Sequence, residues 1–141
     1  MSVIGNASEW RRFAQMDYDL AMHAFLHMHP KPLELICYHC HQAVEKLLKS
    51  YMIAMGDDPP MTHDLRLLCK LCMNDAERFA DLAQTCNLLT NYGVQPRYPN
   101  DMELTEGDTE LALRRAETVF SFCDSIISEM DKEASHAPAN Q

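Results

Sequence analysis

The chain is 141 residues long, carries a formal net charge of −9 and is 47% hydrophobic, with only 4 glycines. This length suits one domain whose core needs neither metal nor disulfide, and residues that favour or tolerate helices dominate the composition. The negative charge argues against broad, nonspecific nucleic-acid binding, which depends on Lys and Arg displacing counterions from phosphates. There is no N-terminal apolar run and no stretch of about 20 apolar residues, so we expect a cytoplasmic protein without a membrane span.

The first predicted helix is capped by Ser8 and ends before the His29–Pro32 break, because proline disfavours helical geometry in the residue before it. Its apolar side is predicted from three- and four-residue spacing. The residues of that side are Trp10, Phe13, Leu20, Ala21, Ala24 and Met28. Asp17 falls among them, so its carboxylate either reaches water or pairs with a buried partner, and the sequence leaves both options open.

A second helix is predicted from the proline at position 32 to the glycine at position 56, since apolar residues recur through it at helical spacing. A loop with two prolines follows. The chain then opens a shorter helix at Thr62, His63 and Asp64, where Thr62 or Asp64 could supply the cap.

A fourth helix is predicted over about 75–91, followed by an irregular segment over 94–103. Thr105 with an acid three residues later, Asp108, predicts a capping box at the start of a long fifth helix. The pattern fades after residue 133. We therefore expect a single helical domain over 1–133 and a mobile tail over 134–141.

Six cysteines raise the question of a disulfide framework or a metal site. They sit among apolar helical positions in a chain without an export signal, so we interpret them as reduced core residues. Zinc on Cys37, Cys40 and His41, with His39 or His63 nearby, would need side chains that diverge around one helix. We predict no metal site and no cofactor.

The second helix carries a recognisable motif. Residues 37–49 read CYHCHQAVEKLLK, in which an aromatic residue and histidines precede Gln-Ala-Val-Glu-Lys. Further matching positions, in chain order, are Trp10, Ala14 and Asp17, then Thr62 to Leu65, then Tyr92-Gly93 and Arg97-Tyr98-Pro99. Through these residues the chain resembles the HEPN family of nucleotide- and RNA-associated helical proteins. The resemblance implies an all-α, up-and-down bundle of about five helices around a four-helix core, and commonly a homodimer.

The resemblance also bears on catalysis. Many active HEPN ribonucleases carry an Arg, then four to six residues, then a His. After Arg97 the three corresponding positions hold Met102, Glu103 and Leu104, and no other arginine has a histidine at this spacing. We therefore predict no catalytic residue and lean towards a protein that is not an enzyme.

Two groups of residues are candidates for ligand binding. His41, Gln42, Glu45 and Lys49, with Lys46 beside them, form a polar stripe that could meet a phosphate or a base edge. The alternative is a solvated face whose Glu45–Lys49 pair contributes only about 0.3–0.5 kcal/mol.

The second group is Arg97 with Tyr92 and Tyr98, which offers a planar cation between two stacking surfaces. The alternative is that Arg97 holds its loop against a helix end, Asp17 or Glu45. The two roles could also coexist.

His63 next to Asp64 could form an oriented general base. We favour a helix-start role instead, with Asp64 as cap and His63 packed under the preceding loop, since adjacent residues seldom pair.

Three functional hypotheses follow. The first is a non-catalytic module that binds a nucleotide, RNA or a protein partner in a toxin–antitoxin or nucleotidyltransferase system. The second is a metal-independent ribonuclease in which Arg97 stabilises phosphate charge while His41 or His63 moves protons. The third is a pure interaction subunit for a nucleotidyltransferase, whose acidic C-terminal third meets a basic surface.

Overall fold

The structure, a computed structural model, describes residues 6–93 and 103–135 and is built from helices. The α-helices are α1 (Ala7–His27), α2 (Leu33–Ala54), α3 (Leu65–Cys72), α4 (Ala83–Leu89) and α5 (Glu106–Ser135). Single 3-10 segments, Glu77–Leu82 and Thr90–Gly93, flank α4. No strand occurs within the described ranges. The predicted all-α bundle of about five helices is confirmed.

Helix α2 is the centre of the bundle, because α1, α3, α5 and the Thr90–Gly93 turn all pack against it. Its buried residues run from Ile36 to Met52. Near its C-terminal end the Tyr51 ring lies 4.6 Å from that of Phe79, which lies 5.0 Å from Phe122. Each such aromatic pair contributes about 0.5–1.5 kcal/mol beyond its buried area.

Two of the three helix caps predicted from the sequence are confirmed. Asp64 caps α3 by accepting from the Arg66 N–H at 2.9 Å. Thr105 and Asp108 exchange two hydrogen bonds of 3.0 and 3.1 Å, which confirms the capping box of α5. The prediction of Ser8 was wrong, because Asn6 is the cap of α1 and its amide oxygen reaches the third N–H of the helix.

The apolar side predicted for α1 is only partly buried. Ala14, Ala21 and Ala24 are buried, whereas Phe13 and Leu20 are 42% and 53% exposed. Small alanines allow the backbones of α1 and α2 to approach closely, and that approach leaves the larger side chains at the edge of the contact. The result is an apolar edge on α1 that stays largely exposed, with the Arg12 guanidinium 4.8 Å from the centre of the Phe13 ring.

The fourth helix is shorter than predicted. The 3-10 segment Glu77–Leu82 precedes α4 and a second one follows it. Phe79 and Leu82, both buried, are three residues apart, which matches the three-residue period of a 3-10 turn. At the other end of the chain α5 continues to Ser135, two residues beyond the predicted end of the domain at 133, and residues 136–141 of the predicted tail lie outside the described part.

All six cysteines are buried and free, which confirms the interpretation as core thiols. Burial raises the pKa of Cys37 to about 11 and raises that of Cys40 as well, so both remain protonated. Among the described residues no group of three or more His, Cys, Asp or Glu side chains could hold a metal ion. Each described helix is too short or too polar to cross a membrane.

Candidate functional site

A buried carboxylate on α2, Glu45, gathers three of the predicted site residues. Its Oε2 accepts from Lys49 Nζ at 3.0 Å, and its Oε1 accepts from His63 Nδ1 at 2.8 Å. His41 Nδ1 lies 3.9 Å from the same Oε1. We call His41, Glu45, Lys49 and His63 the Glu45 group. A charge removed from water needs such partners, so the pairing stabilises the fold relative to a chain in which one partner is missing.

His63 is the member of the Glu45 group that reaches solvent. Its side chain is 73% exposed, although its Nδ1 is held by the buried Glu45. A carboxylate only accepts hydrogen bonds, so Nδ1 donates and Nε2 is the ring atom left for another molecule. The backbone beside it is fixed because Asp64 caps α3. The exposed imidazole of His63 is therefore held in one orientation by its hydrogen bond to the buried Glu45 carboxylate.

This geometry corrects one expectation and confirms another. His63 was expected to pack under the proline-containing loop, and its exposure shows that this was wrong. Asp64 was expected to act as a cap, and it does. The carboxylate that orients His63 is Glu45, 18 residues away, rather than its neighbour.

His41 is the fully buried member of the Glu45 group. Its ring has no exposed surface, and Nε2 donates to the carbonyl oxygen of His63 at 2.8 Å. Burial lowers the pKa of His41, so the neutral ring is favoured, and in that form Nδ1 is an acceptor without a hydrogen-bond partner. The backbone of Gly93 lies directly against the ring, where a Cβ would stand 2.4 Å from Nε2. His41 therefore joins the His63 backbone to the Thr90–Gly93 turn.

Lys49 is likewise internal. It is buried, it pairs with Glu45, and its ammonium lies 5.8 Å from the centre of the Trp10 ring. The predicted Glu45–Lys49 pair exists, but the solvated polar stripe was wrong for His41, Glu45 and Lys49. Gln42 is half-buried and makes no side-chain hydrogen bond within the described residues.

A second carboxylate, Asp17 of α1, has the same kind of partners. Asp17 Oδ1 accepts from His39 Nδ1 at 3.0 Å, and Oδ2 accepts from Lys46 Nζ at 2.6 Å. The choice left open by the sequence is settled in favour of pairing. His39 and Lys46 were not predicted as its partners, although their seven-residue spacing on α2 places them on one side of that helix.

Of the second predicted group, only Tyr92 lies within the described residues. Tyr92 lines a cleft against α5 that shares no lining residue with the Glu45 group. Arg97 and Tyr98 lie outside the described residues. The structure therefore brings together His41, Glu45, Lys49 and His63. The Tyr92 side chain lines a separate cleft, although the turn that carries it contacts His41 through Gly93.

Comparison with known proteins agrees with this architecture. The crystal structure of TT1696 from Thermus thermophilus superposes with a TM-score of 0.73 at 22% identity, covering 84% of this chain and 96% of that one. At this identity the likeness establishes the fold alone. No curated protein matches the chain. The model of the HEPN domain family matches residues 7–126. The chain therefore belongs to the HEPN family of helical domains, which are associated with nucleotides and RNA and commonly dimerise.

Proposed function

We propose that this HEPN domain binds nucleotides or RNA through His63 and does not cleave them. The observation that carries the proposal is an imidazole that is mostly exposed and yet held at Nδ1 by a buried carboxylate. An exposed side chain normally samples several rotamers. Because Glu45 already fixes the His63 ring in the free protein, less side-chain entropy is lost when a ligand binds.

The chemistry of the exposed atom suits a phosphate-bearing ligand. When protonated, His63 Nε2 donates a charge-assisted hydrogen bond, the kind that phosphate oxygens accept. Gln42, one turn before Glu45 on α2, offers an amide for the edge of a base. The net charge of −9 disfavours a long duplex, so the ligand is a nucleotide or a single-stranded end or loop.

Titration of ATP and of a short single-stranded RNA into the purified chain tests this proposal, with the imidazole signals of His63 followed by NMR. Removal of one charge-assisted hydrogen bond in His63→Gln is expected to weaken binding about tenfold. Lys70→Gln, an exposed cation on α3, is the matched control and should bind like wild type. Equal affinity in His63→Gln and wild type would contradict the proposal.

The hydrogen-bonded pair of His63 and Glu45 also favours one alternative function. In this alternative the protein is a metal-independent ribonuclease, with His63 as acid or base. A carboxylate that orients an imidazole is a recurrent arrangement in proton transfer. His41, named as the other candidate, is buried and bonded to the His63 carbonyl, so it cannot contact a phosphate. Cleavage of RNA in the presence of chelator that is lost in His63→Gln would replace the binding module by this enzyme.

We also propose a homodimer through the exposed edge of α1. Phe13, Met16 and Leu20 are exposed and lie on one side of the helix. Leu20→Glu should convert the dimer to a monomer in size-exclusion chromatography with light scattering. Leu26→Glu is the control, because Leu26 is equally exposed but lies about 120° further around the helix. A wild-type monomer, or a dimer in Leu20→Glu, would refute this interface.

The setting we propose is a toxin–antitoxin or nucleotidyltransferase system, with a nucleotidyltransferase as the protein partner. Exposed acids on α5, including Glu110, Glu117 and Asp124, recur every seven residues. Glu110 and Asp124 pair with Arg114 and Arg11, so a basic partner surface would compete with these two arginines for the acidic edge. Co-purification with a nucleotidyltransferase encoded next to this chain, weakened by salt, would support the association. Separate elution of the two proteins at low salt would count against it.

A further inference from the structure

A cleft of about 190 Å³ lies between the end of α4 with its 3-10 turn and the first half of α5. Its floor is formed by the buried Leu89 and Ala112. Its two edges are formed by Leu88 and Leu111, which are 40% and 46% exposed. The cleft is therefore open to solvent and mostly apolar, a surface that water wets poorly.

Two charged residues, Asp108 and Arg115, are part of the cleft lining. Asp108 and Arg115 are seven residues apart on α5, about 10 Å along the helix axis and on the same side. Asp108 is already engaged, since its carboxylate accepts from the Thr105 N–H. Arg115 is half-buried and makes no ion pair or hydrogen bond within the described ranges. Its neighbour Arg114, outside the cleft, pairs with Glu110 at 3.0 Å.

Tyr92 completes the lining, and its phenol interacts electrostatically with both Asp108 and Arg115. Burial is the main cause that raises the pKa of Tyr92, so its hydroxyl stays protonated and can donate a hydrogen bond. A guanidinium that has no ion pair among the described residues, beside a phenol donor, forms the recognition pattern for an anion, because Arg matches carboxylate and phosphate with two parallel hydrogen bonds.

We propose that this cleft binds a small planar molecule bearing one carboxylate or phosphate, with the ring between Leu88 and Leu111 and the anion on Arg115. The size is appropriate, because a protein cavity of about 150 Å³ holds benzene, whereas sites for larger ligands start at about 300 Å³. The cleft thus has room for one ring system. The proposal is independent of His63, since the cleft and the Glu45 group share no residue.

Calorimetric and NMR titrations of the full chain test the proposal with four probes: benzoate, phenyl phosphate, adenosine monophosphate and the uncharged benzyl alcohol. We expect saturable binding of at least one anion and much weaker binding of benzyl alcohol. Loss of the guanidinium in Arg115→Gln should weaken anion binding roughly ten- to a hundredfold. Arg114→Gln is the matched control, one residue away on the same helix, and should bind like wild type.

The probes separate the sources of the anion. Tighter binding of phenyl phosphate and adenosine monophosphate supports the site as one for nucleotide phosphate, and tighter binding of benzoate supports it as one for aromatic acids. Absence of saturable binding by all three anions, or equal affinity in Arg115→Gln, overturns the proposal. Because Arg115 is only half-buried, its variant should fold, and an unchanged melting temperature verifies this. RNA binding is tested separately at His63, so failure of either proposal leaves the other standing.

Discussion

Replacement of Gly93 by alanine tests the contact between the 3-10 turn and the Glu45 group. The new Cβ would stand 2.4 Å from His41 Nε2 and 2.7 Å from Cε1, closer than atoms approach without displacement. The imidazole is rigid and buried, and its Nε2 already donates to the His63 carbonyl. Either the ring or the turn must therefore move.

The expected cost has two contributions. Overpacking of a filled interior costs about 1–3 kcal/mol, and loss of the His41–His63 hydrogen bond adds about 1 kcal/mol. The sum, about 2–4 kcal/mol, corresponds to a fall in melting temperature of about 6–12 °C for a chain of this length.

Circular dichroism during heating and urea titration measures this loss. Gly107→Ala is the matched control, because its Cβ would meet only Thr105 Oγ1 at 3.6 Å and alanine favours the helix. In His41→Ala the obstructing ring is absent, so addition of Gly93→Ala should cost little more. A Gly93→Ala protein as stable as wild type, or an equal cost in the His41→Ala background, would refute the argument.

Two further predictions concern charges in the same group. Glu45→Gln leaves the Lys49 ammonium buried without a counter-charge, so urea unfolding should show a loss of about 3 kcal/mol, and an unchanged midpoint would contradict the pairing. Burial lowers the pKa of His41 in the folded chain, so the unfolded chain binds the proton more readily. The stability that the neutral His41 ring contributes is present above the ordinary histidine pKa of about 6.5 and is lost as pH falls below it. Wild type should therefore lose more stability than His41→Gln between about pH 7.5 and pH 5.5, and equal losses would contradict this.

The sequence predicts every helix except the fourth well, because each of the others has apolar residues at helical spacing. It predicts two of the caps because cap side chains act locally. The sequence does not predict which polar side chains of α2 are buried. The prediction assumed one buried side and one solvated side, but a helix at the centre of a bundle is covered on most sides. His41, Glu45 and Lys49 are buried for that reason, and spacing alone cannot distinguish them from surface residues.

The side-chain pairs of the site could not be predicted from the sequence, for a different reason. Glu45 and His63 are 18 residues apart and meet across a loop. Asp17 and Lys46 are 29 residues apart and lie on different helices. A polar residue within an apolar pattern indicates that a partner is needed, as it did for Asp17, but the identity of the partner depends on tertiary packing.

The two carboxylates provide a comparison within one molecule. Asp17 and Glu45 each accept from one lysine and from the Nδ1 atom of one histidine. Their histidines differ in access to solvent, since the side chain of His39 is 29% exposed and that of His63 is 73% exposed. A pairing needed only for folding has no reason to leave the ring so accessible. Asp17→Asn should therefore reduce stability while RNA affinity is retained, whereas His63→Gln should reduce affinity at little cost in stability. Loss of RNA binding in both variants at a temperature where both are folded would show that exposure of the ring does not identify the binding residue.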